Sequence, residues 1–123
     1  MKHNPGFLKL VEQVKRNIKE CTIADVKAML DRGENFHFLD VREDHEFAQD
    51  HVKGAVHLAR GILERDIETV IPDRTAKIVL YCGGGFRSAL AADSLSRMGY
   101  KDVASMEGGI RRWRAAGYPI EQG

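Results

Sequence analysis

The sequence predicts an α/β domain with a central, mainly parallel sheet and helices on both faces. Short apolar runs alternate along the chain with segments whose apolar residues recur at helical spacing. One run, Ile78-Val79-Leu80-Tyr81, lacks polar alternation, as a strand covered on both faces requires. The 123 residues, 43% of them hydrophobic and 30% charged, suffice for one core and give no sign of a second domain.

Asn4-Pro5 reads as a cap with proline at the first helical position, and Phe7, Val11, Val14 and Ile18 continue at helical spacing. Thr22 and Asp25 form a capping-box pattern for a second helix, whose apolar face is Ile23, Val26, Met29 and Leu30 and whose stop is Gly33. Phe36 to Leu39 is a strand leading to Asp40-Val41-Arg42, and Glu43 to Gln49 a short helix. Val52 to Leu58 holds a glycine turn and the brief apolar run Ala55-Val56-His57-Leu58, and a helical pattern from Gly61 to Val70 ends before Pro72-Asp73. After the central strand, Ala89, Leu90, Ala92, Leu95 and Met98 mark a helix beginning near Arg87 and ended by Gly99. Val103 to Met106 is a further strand, Glu107-Gly108-Gly109 a turn, and Ile110 to Ala116 the last helix. In such sheets ligands collect beyond the carboxyl ends of the strands, where Asp40 and Cys82 both fall.

The 19 basic and 18 acidic side chains nearly cancel, so no global field draws nucleic acid or an anionic membrane. The N-terminus lacks the apolar run of a signal peptide and no stretch is long enough to span a bilayer, so the expectation is a cytoplasmic protein. Cys21 and Cys82 suit neither a disulfide framework nor a zinc site, and the histidines lack ligand spacing; no metal or cofactor is expected.

Cys82 is the candidate nucleophile. A thiol attacks only as thiolate, and Gly83, Gly84 and Gly85 let several N–H groups turn toward one point without side chains in the way. The following helix aims its free amides and positive dipole end at the same place, and Arg87 adds a permanent charge, so the anion is favoured there. Ser88 caps the helix or donates to the loop, and Phe86 shapes the rim. A buried structural thiol with a flexible connector is the plainer alternative, but the immediate succession of strand, cysteine, three glycines, arginine-serine and helix favours catalysis.

Phe38-Leu39-Asp40-Val41-Arg42, Gly54-Ala55-Val56-His57-Leu58, Tyr81 to Ser88 and Glu107-Gly108-Gly109-Ile110-Arg111-Arg112-Trp113 together closely resemble a single-domain rhodanese, a thiosulfate sulfurtransferase, from about Thr22 to Pro119. The resemblance implies a rhodanese-like α/β domain over 21–123; the N-terminal helical extension over 1–20 lies outside it, and its amphipathic helix is expected to pack on the domain, with pairing of two chains or docking of a partner as the alternatives. The resemblance also implies transfer of sulfane sulfur from thiosulfate or a related donor to cyanide or a thiol through a Cys82 persulfide. The amides of Gly83 to Ser88 would hold that persulfide, with Arg87 closing the loop.

The same resemblance gives Asp40 and Arg42 a supporting place, as an orienting ion pair or simply a structural pair at a strand end. Arg60 either lines the pocket mouth and attracts a dianionic donor or stays a solvated charge. Phosphatases and arsenate reductases of similar fold carry one more residue between cysteine and arginine; here four intervene, which favours sulfur as the cargo. Asp50 and Lys53 stand where the family often has glycine and proline around His51. The expected partners are small sulfur donors and thiol or cyanide acceptors, with a persulfide carrier serving protein acceptors as the alternative and a non-catalytic binding domain a distant third. Cys21 as a second thiol collecting sulfur is disfavoured. In Arg111-Arg112-Trp113-Arg114, inward-facing Ile110 and Trp113 with the arginines in water is preferred to a nucleic-acid contact.

Overall fold

The computed structural model describes residues 2–123. Its elements run α1 (Pro5–Lys15), β1 (Lys19–Cys21), α2 (Ile23–Asp31), β2 (His37–Asp40), α3 (Asp44–Gln49), β3 (Asp50–Val52), β4 (Val56–His57), α4 (Leu63–Val70), β5 (Lys77–Tyr81), α5 (Phe86–Arg97), β6 (Asp102–Met106), α6 (Gly109–Ala115) and β7 (Ile120–Gln122). Five strands form one parallel sheet in the order β1-β6-β5-β2-β4, while β3 and β7 make a separate antiparallel pair. The apolar run 78–81 is thus the middle strand, flanked by β6 and β2.

Period-two alternation along β5 divides the core. Ile78, Leu80 and Cys82 face α4 and α5, packing with Leu63, Ile67, Ala91, Ala92 and Leu95. Val79 and Tyr81 face the other way, toward Val26 and Met29 of α2 and Ile110 and Trp113 of α6. Each fully buried leucine or isoleucine contributes roughly 1.5–3 kcal/mol of transfer free energy, so the two clusters fix the helices to opposite faces of the sheet. Helix α1 adds a third layer, laying Val11 and Val14 on Ala89 of α5 with Phe7, Phe86 and Leu90 around them.

The Thr22 capping box is present in both directions: the Thr22 hydroxyl accepts from the Asp25 amide, and the Asp25 carboxylate accepts from the Thr22 amide, each at 3.0 Å. The pattern beginning at Gly61 opens with a 3₁₀ turn over Arg60–Ile62 before α4 takes over. Three strands, β1, β3 and β7, had no counterpart in the sequence reading. Lys19 and Glu20, from the N-terminal segment, pair with Ala104 and Ser105 as part of edge strand β1, and β7 pairs with His51 and its neighbours.

Because β2, β5 and β6 are parallel, their carboxyl ends at Asp40, Tyr81 and Met106 lie along one side of the sheet. The segments that follow bring Arg42, the Cys82 loop and the Gly108-Gly109 turn to that side.

Candidate active site

Cys82 is the first residue past the central strand, and α5 starts four positions on, with Gly85 as its N-cap at φ +100°. Its Sγ accepts the amide hydrogens of Gly85 at 3.1 Å and Ser88 at 3.4 Å, and the thiol lies 3.5 Å from the Ser88 hydroxyl to which it donates. Ser88 Oγ is in turn 2.8 Å from Ser105 Oγ on β6, so a buried pair of hydroxyls stands behind the sulfur. Cys82 is 1% exposed and forms the floor of the loop rather than its surface.

The loop's orientation has an identifiable cause. The carbonyls of Cys82 and Gly83 accept the amides of Ile110 and Arg111 at 2.9 and 3.1 Å, which turns them toward α6. This close approach requires glycine at 109: its φ is +54°, and a Cβ there would overlap both loop carbonyl oxygens. With the carbonyls consumed, the amides of Gly83, Gly84, Phe86 and Arg87 meet no acceptor among the described residues, and form the concave donor array expected to bind an anion.

Arg87 donates from both terminal nitrogens to Glu46 of α3, at 2.8 and 3.1 Å, while lying against Gly83. Hydrogen bonding from Arg87 holds the Glu46 carboxyl down to about 2 against the opposing effect of burial. Asp40 and Arg42 form an ion pair that is almost wholly buried: Arg42 Nε reaches both carboxylate oxygens at 3.0 and 3.1 Å, Nη2 reaches Oδ2 at 2.8 Å, and the Arg42 amide reaches Oδ1 at 3.0 Å. Tyr81 donates its hydroxyl to Asp40 Oδ2 at 2.6 Å and accepts from the Val52 amide at 3.0 Å. Burial first, then the adjacent Asp40 carboxylate, pushes the Tyr81 phenol far above its usual range, so it stays a neutral donor.

An open cleft of about 450 Å³ lies over the loop, lined by Arg42, Glu46, Gln49, Asp50, Gly83, Ile110, Arg111 and Arg114. The structure therefore gathers Cys82, Gly83, Gly84, Gly85, Phe86, Arg87 and Ser88 with the Asp40–Arg42 pair. Arg60 stands apart: its guanidinium is drawn to Glu64 one turn along, at 2.7 and 2.9 Å, and to Ser94 Oγ at 3.3 Å, and it does not line the cleft.

Three contributors were not singled out from sequence. Glu46 and Ser105 carry no local signal, since their partners are 41 and 17 positions away. Arg111 comes two residues after Gly109, and its place beside the loop follows from the Gly108-Gly109 turn. Its side chain is exposed, as its helical position implies, and its guanidinium rests over Gly83 and Gly84. Asp50, the departure from the family pattern, holds the Arg114 guanidinium, and its carbonyl accepts from Arg42 at 2.6 Å.

Cys21 lies in the cluster on the opposite face of the sheet, and burial, with Asp25 and Glu107, pushes its thiol up to about 11. Both cysteines are free thiols. Among the described residues no group of histidine, cysteine or acidic side chains is arranged to hold a metal, and no helix is long and apolar enough to cross a membrane. A second cavity of about 330 Å³, beneath α2 and α6 and lined by Leu30, Trp113 and Pro119 with Lys27, Asp31 and Lys53, offers none of the groups assembled around Cys82.

The family model of the rhodanese-like domain matches residues 22–116. The chain belongs to the rhodanese-like family. A Bacillus subtilis relative named "Putative sulfurtransferase YtwF" is 33% identical over 102 residues, covering 83% of this chain and 96% of that one. Thiosulfate sulfurtransferase PspE of Escherichia coli is 35% identical over 72 residues, covering 58% of this chain and 69% of its own. Among solved structures, a Rhodopseudomonas palustris protein of unknown function, described as a possible tyrosine phosphatase, superposes with a TM-score of 0.87 at 33% identity over 98% of both chains. That superposition spans almost the whole rhodanese-like chain, helix α1 included.

Proposed function

We propose that this rhodanese-like protein transfers sulfane sulfur from thiosulfate or a related donor to a thiophilic acceptor through a persulfide on Cys82. The observation that carries the reading is the convergence of the Gly85 and Ser88 amides on Cys82 Sγ, in a loop where Arg87 follows after four residues. The Cys82 thiolate attacks the outer sulfur of thiosulfate, the S–S bond of the donor breaks, and sulfite leaves with the bonding pair. The new outer sulfur, bearing the negative charge, is received by the free amides of Gly83, Gly84, Phe86 and Arg87. A thiolate or cyanide then attacks that sulfur, and Cys82 is released as thiolate.

In this scheme Arg87 holds the loop closed through Glu46, and Asp40 and Arg42 brace the strand end. The test is mass spectrometry after exposure to thiosulfate. One added sulfur on Cys82, its removal by cyanide with thiocyanate formation, and no uptake by Cys82→Ser are expected; a protein that stays unmodified while turning over no thiosulfate sinks the reading. Tyrosine dephosphorylation is the second reading, favoured by the description of the Rhodopseudomonas palustris neighbour. A loop of four intervening residues makes a smaller cradle than a tetrahedral phosphate needs, so hydrolysis of an aryl phosphate without sulfur uptake is the result that would reverse the choice. A sulfur carrier serving protein acceptors uses the same persulfide, and differs in that the loaded protein retains a specific protein partner.

A further inference from the structure

Three guanidiniums line the cleft over the Cys82 loop, those of Arg42, Arg111 and Arg114, and a fourth, Arg87, lies beside it against Gly83; three of the four are already engaged. Arg42 is bound to Asp40, Arg87 to Glu46, and Arg114 to Asp50. Arg111 alone among these four has no carboxylate within ion-pair distance among the described residues. Its backbone is fixed by donation to the Gly83 carbonyl at 3.1 Å, and its guanidinium lies so near the loop that a Cβ on Gly84 would sit 3.3 Å from Nη1. The glycines at 83 and 84 thus leave room for this side chain as well as for the amides.

We infer that Arg111 is the anion-selecting residue of the site, holding the sulfonate oxygens of a thiosulfate-type donor while its outer sulfur meets Cys82. The inference rests on the sulfur-transfer reading and adds to it the residue that selects among sulfur donors. A guanidinium presents parallel N–H donors matched to two oxygens of one anionic group, and an unpaired one needs no partner displaced before it binds. The reacting bonds are unchanged: Cys82–S forms, the donor S–S bond breaks, and the departing sulfite carries the electron pair toward the Arg111 charge. Selection then follows the donor's leaving group. A donor with sulfonate oxygens gains from Arg111, whereas an alkyl hydropersulfide, which offers the same sulfane sulfur on an uncharged carbon chain, does not.

The experiment measures Cys82 persulfide formation from thiosulfate and from an alkyl hydropersulfide in the wild type, Arg111→Gln and Arg111→Lys, with thermal melts as a control for folding. Arg111→Gln is expected to lower kcat/KM for thiosulfate about 10- to 100-fold, mainly through KM, the scale of one lost charge-assisted contact. Loading from the hydropersulfide stays within about twofold, and Arg111→Lys, which keeps charge without the fork, recovers part of the thiosulfate loss. An unchanged KM for thiosulfate in Arg111→Gln, or an equal loss with both donors, overturns the assignment. A wild type that takes sulfur from neither donor instead removes the sulfur-transfer reading and Arg111's role with it.

Discussion

Glu46 and Arg87 meet in a two-pronged ion pair, Oε1 accepting from Nη1 at 2.8 Å and Oε2 from Nη2 at 3.1 Å, which ties α3 to the first turn of α5. Both side chains are partly open to solvent, so screening reduces what the pair contributes. Glu46→Gln keeps the shape and the cap on α3, and is expected to cost about 1 kcal/mol at neutral pH, read as a lower urea midpoint.

The same pair sets a pH dependence. Glu46 titrates at about 2 in the folded chain, below the 4.5 ordinary for its carboxyl. The stabilisation is therefore complete above the unfolded value and fades as pH falls toward the folded one. The gap in unfolding free energy between wild type and Glu46→Gln should be full at pH 7, shrink below about pH 4.5, and vanish near pH 2. A gap independent of pH would show that Glu46 does not act through its charge.

The Asp40–Arg42–Tyr81 network should be far more sensitive. Asp40→Ala leaves the buried Arg42 guanidinium without its hydrogen-bonded counter-ion, with only the Asp50 carboxylate at 3.9 Å, an expected loss of about 3–5 kcal/mol. Tyr81→Phe strands the Val52 amide and removes one donor from Asp40, at about 1–3 kcal/mol. Since the residues share one network, the double variant should lose less than the sum, which a double-mutant cycle in guanidinium chloride checks.

Gly109→Ala tests the junction between α6 and the Cys82 loop. The backbone conformation disfavours any side chain, and the obstacle is loop backbone, which cannot rotate aside. Destabilisation of at least about 2–4 kcal/mol is expected, with Gly6→Ala, where a Cβ meets nothing within 4 Å, as the neutral comparison.

Cys21 should be chemically quiet. A thiol raised to about 11 stays protonated through neutral pH and gains thiolate only as pH approaches that value. In Cys82→Ser, iodoacetamide labelling of Cys21 at pH 7–8 is expected to be slow and to climb steeply only in strong alkali; rapid labelling at pH 7 would contradict the burial argument.

The sequence made the central part of the molecule readable because local chemistry and tertiary setting agree there. The run 78–81 is apolar on both faces and became the middle strand; Thr22 and Asp25 cap α2 as their spacing requires; Ile110 and Trp113 turn inward. Strands β1, β3 and β7 escaped because segments of three residues such as Lys19-Glu20-Cys21 show no period of their own. At the site, the chain order of Cys82 to Ser88 reveals the loop, whereas pairings made across the fold are invisible in it. Arg87 could not be known to find Glu46, 41 positions away, until α3 and α5 were in place, whereas the pair of Arg60 with Glu64, four residues on, is local and legible from spacing. The helical position of Arg111 makes its exposure legible, whereas its place beside Gly84 depends on how α6 meets the Cys82 loop.

The union of the loop carbonyls with the start of α6 has one more consequence. Peptide groups anchored in this way cannot flip, so the donor array around Cys82 is assembled once, when the chain folds, and does not wait for an arriving guest. Whatever anion enters meets a mould already cast, and the entropy of shaping it has been charged to folding.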